Sequence, residues 1–139
     1  GTVTENTYVQ WLPGGASIWR RGVFEQFAFD EYFDGYSYLE DLDFSFSVSR
    51  KYKLAVVADA GFHHYPSRAG RVSAYQFGQV EVRNRGYILG KHGLSLLRCY
   101  AGILIRLFMT TGAFMRRRGP DNLRRALGNC IGIARAMTQ

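Results

Sequence analysis

Only two cysteines and three prolines occur in the 139 residues. Cys99 and Cys130 stand in apolar, helix-like stretches and share no metal-type spacing with each other or with the histidines, so a zinc module has no support. Buried, reduced thiols fit better, and they favour a cytoplasmic setting. No signal peptide opens the chain: residues 1–5, GTVTE, have neither a basic start nor an apolar run, and they read as a cut inside a larger protein. Internal repeats and low-complexity tracts are absent too. What is present is a chain that is 47% apolar and 15% aromatic, enough for one core and an appendage. The net charge of +7 is unevenly placed, because arginine crowds the chain from Arg68 onward. A basic second half points to an anionic partner.

Periodicity and turn residues divide the chain. Residues 6–12, NTYVQWL, have strand composition and end at the Pro13-Gly14-Gly15 turn. A short helix is expected over 17–27 and a second over 41–52, with acids in its first turn and Arg50 and Lys51 at its end. Residues 54–64, LAVVADAGFHH, suggest one or two short strands. A helix over 72–92, weakened by Gly78 and Gly86, leads to two more, over 94–117 and 121–137. Gly119-Pro120 separates those two, and Asp121 is placed to cap the last. Mixed α and β thus precede all helix, with domains expected at 1–70 and 71–139.

The acids of YLEDLDFSF are the densest chemistry. Glu40, Asp41 and Asp43 lie between aromatic and aliphatic residues, where ionisation is costly unless hydrogen bonds, a cation or a task offsets it. Helix capping explains such acids structurally. Asp41-Leu42-Asp43 also matches the short D-x-D pattern of a metal site for a nucleotide diphosphate, since paired carboxylates suit a hard cation. At Pro13-Gly14-Gly15 the glycines permit the turn, and they equally let a ligand approach bare backbone. Trp11 beside them offers a flat apolar surface for a sugar ring.

Taken in order, Gly14-Gly15 with Arg20-Arg21, Phe29-Asp30-Glu31, Glu40-Asp41-Leu42-Asp43 and the apolar run ending at His63-His64 resemble the C-terminal half of the catalytic domain of family 2 glycosyltransferases. These are inverting enzymes of the GT-A fold. The resemblance covers roughly the first half of the chain; Arg83-Asn84-Arg85 and Lys91-His92 extend it weakly. It implies an α/β fold, here an α+β fragment of a GT-A domain followed by a helical extension. It also implies transfer of a sugar from a nucleotide-sugar donor to a hydroxyl of a glycan or lipid-linked acceptor, with Mg²⁺ or Mn²⁺ in the complete enzyme.

The same resemblance makes Asp41 the general base that takes the acceptor proton. Glu40 would orient the acceptor or the glycine turn, and Trp11, Gly14, Gly15 and Arg71 would bind substrate. His64 would help hold metal or diphosphate, since His64-Tyr65-Pro66-Ser67 with Arg71 downstream matches a recurring His-x-x-Ser arrangement; Arg68 and Arg71 would meet phosphate oxygens. The donor-side half, with its own D-x-D, has no counterpart before Trp11. The chain is therefore expected to be an acceptor-side piece that is inactive alone.

Residues 94–117 place Arg98, Arg106, Arg116 and Arg117 in a sector of about 100° at 100° per residue. Apolar side chains fill most of the rest. Two internal arginines oppose a membrane span. A packed core helix and a helix lying in an anionic membrane interface both remain as readings. The interfacial one implies an enzyme peripheral to the inner face of the cell membrane. The rival of a different class is a non-enzymatic basic module for membrane surfaces. Nucleic acid is the weaker form of that rival, and is not expected as a partner, because no zinc-finger, RNA-recognition or helix-turn-helix signature is present.

Overall fold

The structure is a computed structural model and describes residues 3–65, 71–117 and 119–138. Thr7–Val9 (β1) pairs antiparallel with Leu54–Val56 (β2), Val9 lying opposite Leu54. Between them run Arg21–Phe24 (α1) and Glu40–Ser49 (α2), with single 3₁₀ turns at Gly14–Ala16 and Glu31–Phe33. Three long helices follow: Ala74–His92 (α3), Leu96–Arg117 (α4) and Pro120–Ala136 (α5). The chain divides into two compact units, Gly1–Arg68 and Ala69–Gln139.

The α/β expectation is corrected here. Among the described residues the only sheet has two three-residue strands, and the molecule is mostly helical, not a GT-A α/β fold. Apolar β-branched residues suggested more strand in 54–64, but a strand persists only where a neighbour satisfies its backbone. Only Leu54–Val56 has such a neighbour.

The core of the first unit forms around α2. Phe44 and Val48, one turn apart, bury the same face of this helix against Val23 and Leu54, with Trp19 and Phe27 packed at the margin. Phe44 is the centre of an aromatic cluster: Phe29 stacks on it at 4.2 Å and Trp19 meets it edge-on at 5.0 Å. Burying Phe44 contributes about 1.5–3 kcal/mol, and each ring pair adds about 0.5–1.5 kcal/mol.

In the second unit the sequence marks its helix ends clearly. Ser73 and Gln76 form a reciprocal capping box at the start of α3, and Gly93, at φ 64°, closes it in the left-handed conformation. Pro120 occupies the first turn of α5, whose N-cap is Gly119. Asp121, expected as the cap, instead lies within that turn and pairs with Arg124 at 3.5 Å.

Helices α3 and α5 cross at glycines. A β-carbon at Gly78 would stand 2.4 Å from the Arg125 carbonyl oxygen, and one at Gly128 would stand 2.1 Å from that of Tyr75. One at Gly132 would stand 2.9 Å from Val82 Cβ. Gly78 weakens α3 by propensity, yet without it the two backbones could not come so close.

This contrast is testable within one helix. Gly86 has open space where a β-carbon would go, so Gly86→Ala should stabilise by about 0.5–1 kcal/mol through propensity alone. Gly78→Ala should reverse the sign and cost about 1–3 kcal/mol through overpacking. Urea unfolding followed by helical circular dichroism measures both, and equal effects at the two positions would refute the close crossing.

Candidate functional site

Helix α2 begins with a strained residue. Leu39, its N-cap, adopts φ 75° and ψ 11°, the only left-handed residue other than glycine among the described residues. Such a conformation costs a non-glycine residue about 1–3 kcal/mol, which surrounding structure must offset. Leu39 makes no side-chain cap. Asp41 Oδ1 accepts the backbone N–H of Leu42 at 2.8 Å and so satisfies one of the open donors of the first turn.

The other oxygen of Asp41 reaches across the unit. Oδ2 accepts the Gly14 backbone N–H at 2.9 Å, and a β-carbon at Gly14 would crowd it, lying 3.2 Å from Asp41 Cβ. One helical turn later, buried Ser45 binds Leu12 twice. Its Oγ accepts the Leu12 N–H at 3.0 Å and donates to the Leu12 carbonyl at 3.2 Å. Four residues of helix rise about 6 Å, and two residues of extended chain span about 6.6 Å. Asp41 and Ser45 on α2 therefore match Gly14 and Leu12 on the opposing segment.

This staple fixes the turn against the start of α2. Both Asp41 oxygens are engaged, yet each keeps a second acceptor direction. Asp43, two residues on, is buried in the unit at 2% exposure. Glu40 is half-buried beside Asp41. Trp11, immediately before the stapled turn, is 48% exposed. His64 borders the same turn from the Gly15 side, with Nδ1 3.9 Å from where a Gly15 β-carbon would project.

Of the residues singled out in the sequence, the fold thus gathers Gly14, Gly15, Asp41 and His64 around one turn, with Trp11 close before the turn in the chain and Glu40 next to Asp41. Arg71 is exposed and belongs to the second unit. Ser67 and Arg68 lie outside the described residues. Ser45 and Leu39 were missed by sequence reasoning. The available signal for Ser45 was its spacing of four from Asp41, which puts both on one helical face. Nothing in the composition marks Leu39 as left-handed.

Metal binding has little support in the donor set. Among the described residues no three His, Cys, Asp or Glu side chains are grouped to hold an ion, whereas Mg²⁺ requires about six ligands, mostly oxygen. Asp41 and His64 do not make up such a shell.

In the second unit α4 carries an exposed apolar face: Leu97 is 81% exposed, Phe108 82% and Met115 71%. Leu96–Arg116 is long and apolar enough to cross a membrane by length and composition. Arg98 and Arg106 lie on one side of α4, where both line a cavity with Arg85 of α3. Arg106 turns to Glu81 of α3, Nε lying 3.5 Å from Oε1.

No family model, characterised protein or solved structure matches the chain.

The staple predicts an asymmetry. Ser45→Ala leaves a part-buried N–H and carbonyl at Leu12 without their partner and should destabilise the first unit by about 1–3 kcal/mol. Asp41→Ala exposes the Gly14 N–H to water and should cost less, about 0.5–1.5 kcal/mol. Both tryptophans, Trp11 and Trp19, lie in this unit, so fluorescence during urea unfolding reports it alone. Asp41→Ala costing more than Ser45→Ala would contradict the assignment.

Proposed function

We propose that the first unit is the acceptor-side portion of an inverting glycosyltransferase, with Asp41 as general base. The observation that carries this reading is the placement of Asp41 on the Gly14–Gly15 turn, a carboxylate with open acceptor directions beside backbone that has no side chains. An acceptor hydroxyl attacking the anomeric carbon must lose its proton as the new bond forms, and a positioned carboxylate can take it. Gly14 and Gly15 let a sugar ring approach the backbone, and exposed Trp11 offers a face for it. Glu40 orients the acceptor. The donor is a nucleoside-diphosphate sugar, and the acceptor is a glycan or a lipid-linked sugar.

Transfer of labelled sugar from a panel of nucleotide sugars, assayed with the whole protein in membranes, tests the base. Asp41→Asn should lower transfer by a factor on the order of 100 to 10,000, whereas Ser45→Ala should lower it only a few-fold. If the two variants lose transfer equally, Asp41 is a staple and not a base.

A second observation favours attachment of α4 to an anionic membrane surface at the inner face of the cell membrane. The second unit has two acids against twelve lysines and arginines, and α4 presents the uncovered face of Leu97, Leu104, Phe108 and Met115. Arg98 and Arg106 within the helix oppose a spanning placement. Insertion of the four apolar side chains contributes about 1.5–3 kcal/mol each when fully buried, more than the roughly 1 kcal/mol from each arginine at the headgroups.

Leu97→Gln with Phe108→Gln should therefore reduce flotation with phosphatidylglycerol vesicles by about tenfold or more, and more than added salt does, without lowering the unfolding midpoint. Absence of flotation by the unmodified chain at low salt would sink the membrane reading and leave the transferase reading untouched.

A further inference from the structure

Glu81 of α3 has no solvent exposure, and arginines gather around it from three helices. Its Oε2 accepts from Arg125 Nη2 at 2.9 Å and Nε at 3.2 Å, and lies 3.5 Å from Asn129 Nδ2. Its Oε1 faces Arg85 Nε at 3.6 Å and Arg106 Nε at 3.5 Å but accepts no hydrogen bond. One carboxylate thus faces three guanidiniums. Arg85 and Arg106 continue past it into a cavity of about 160 Å³, whose other walls are Arg98, Cys99, Gly102 and Ile103. Three arginines line this space, and the acids of this unit are Glu81, already shared with Arg125, and Asp121, which pairs with Arg124.

We propose that this cavity binds a phosphate group. A phosphate with about −1.5 to −2 charges offsets the excess positive charge, and guanidinium forks match its oxygens. Size narrows the choice. A cavity of about 160 Å³ is well below the roughly 300–1,000 Å³ of sites for drug-sized ligands, so it takes a phosphate and leaves the remainder of the molecule outside. Gly102 lines the space, and a side chain added there would enter open volume, since a β-carbon would meet nothing within 4 Å. The same phosphate chemistry can arrive as a soluble anion or as a lipid headgroup. The site does not depend on the transferase reading.

Cys99 supplies the readout, since it lines the cavity while Cys130 is exposed elsewhere on the unit. Burial pushes the Cys99 thiol up, and Glu81 adds to this while Arg85 opposes it. Alkylation by N-ethylmaleimide at mildly alkaline pH, followed for each cysteine by mass spectrometry on the full chain in chloride buffer, should therefore find Cys99 slower than Cys130.

Inorganic phosphate at roughly ten times its Kd should slow Cys99 about tenfold further and leave Cys130 unchanged. Arg98→Gln, which removes no partner of Glu81, should raise that Kd about tenfold or more. Gly102→Val should abolish protection with every arginine in place. Arg124→Gln, which removes an equal charge at the exposed pair with Asp121, should change nothing.

Vesicles of phosphatidic acid in phosphatidylcholine form the second arm, against phosphatidylcholine alone. Protection by inorganic phosphate alone identifies a soluble anion, protection by vesicles alone a lipid headgroup, and protection by both a site open to either. Vesicle protection that survives Gly102→Val arises from docking of α4 and counts against the cavity. The proposal is overturned if neither source slows Cys99 relative to Cys130, or if Arg98→Gln and Gly102→Val leave protection intact.

Discussion

The second unit depends on one buried carboxylate. Glu81 has no exposure and cannot be solvated by water, so its charge must be met by protein groups. Arg85 meets it from its own helix, Arg125 from α5 and Arg106 from α4. Losing one partner of a buried pair is costly, about 3–5 kcal/mol, whereas exposed pairs such as Arg124–Asp121 contribute little. Glu81 thereby sets which faces of the three helices turn inward. The exposed apolar face of α4 follows from that choice: with Arg106 and Ile103 facing in, Leu97, Leu104 and Phe108 must face out.

The glycines make this arrangement reachable. The Arg125 guanidinium of α5 reaches Glu81 where Gly78, Gly128 and Gly132 bring α3 and α5 close enough for backbone to meet backbone. Arg125 also lies over the Phe77 ring at 4.5 Å, a cation–π contact that fixes the same guanidinium from a second side. Charge, ring and glycine act on one crossing.

The first unit works by a different device. A helix and an extended segment rarely share a repeat, but four residues of α2 and two residues of the Leu12–Gly14 segment advance by nearly equal lengths, and side-chain acceptors meet backbone donors at both ends. Asp41 is held by the turn it would serve. The acids that looked anomalous in the sequence divide by depth: Asp43 is buried, Asp41 is shared between two backbone N–H groups, and Glu40 remains half-exposed. Hydrogen bonds supply part of the offset that their apolar surroundings demand.

Local patterns were enough for much of this. The Pro13-Gly14-Gly15 turn, the helices around 41–52 and 72–92 and the break at Gly119-Pro120 are written in residue type and spacing, because turns and helix ends respond to neighbours a few positions away. The sheet was overread, since apolar β-branched runs state a preference for strand but not the presence of a partner. A helical projection kept Arg98 and Arg106 on one side of α4 but records angles, not that Glu81 lies across from Arg106. Where Glu81 would find its arginines, which face of α4 would stay uncovered, that Ser45 would bind Leu12 and that Leu39 would turn left-handed are decided by contacts between residues far apart in the chain. Sequence alone determined the long helices and the uneven charge. Tertiary structure decided which charges are buried together and which apolar face is left open, because those depend on distances between elements that no local pattern contains.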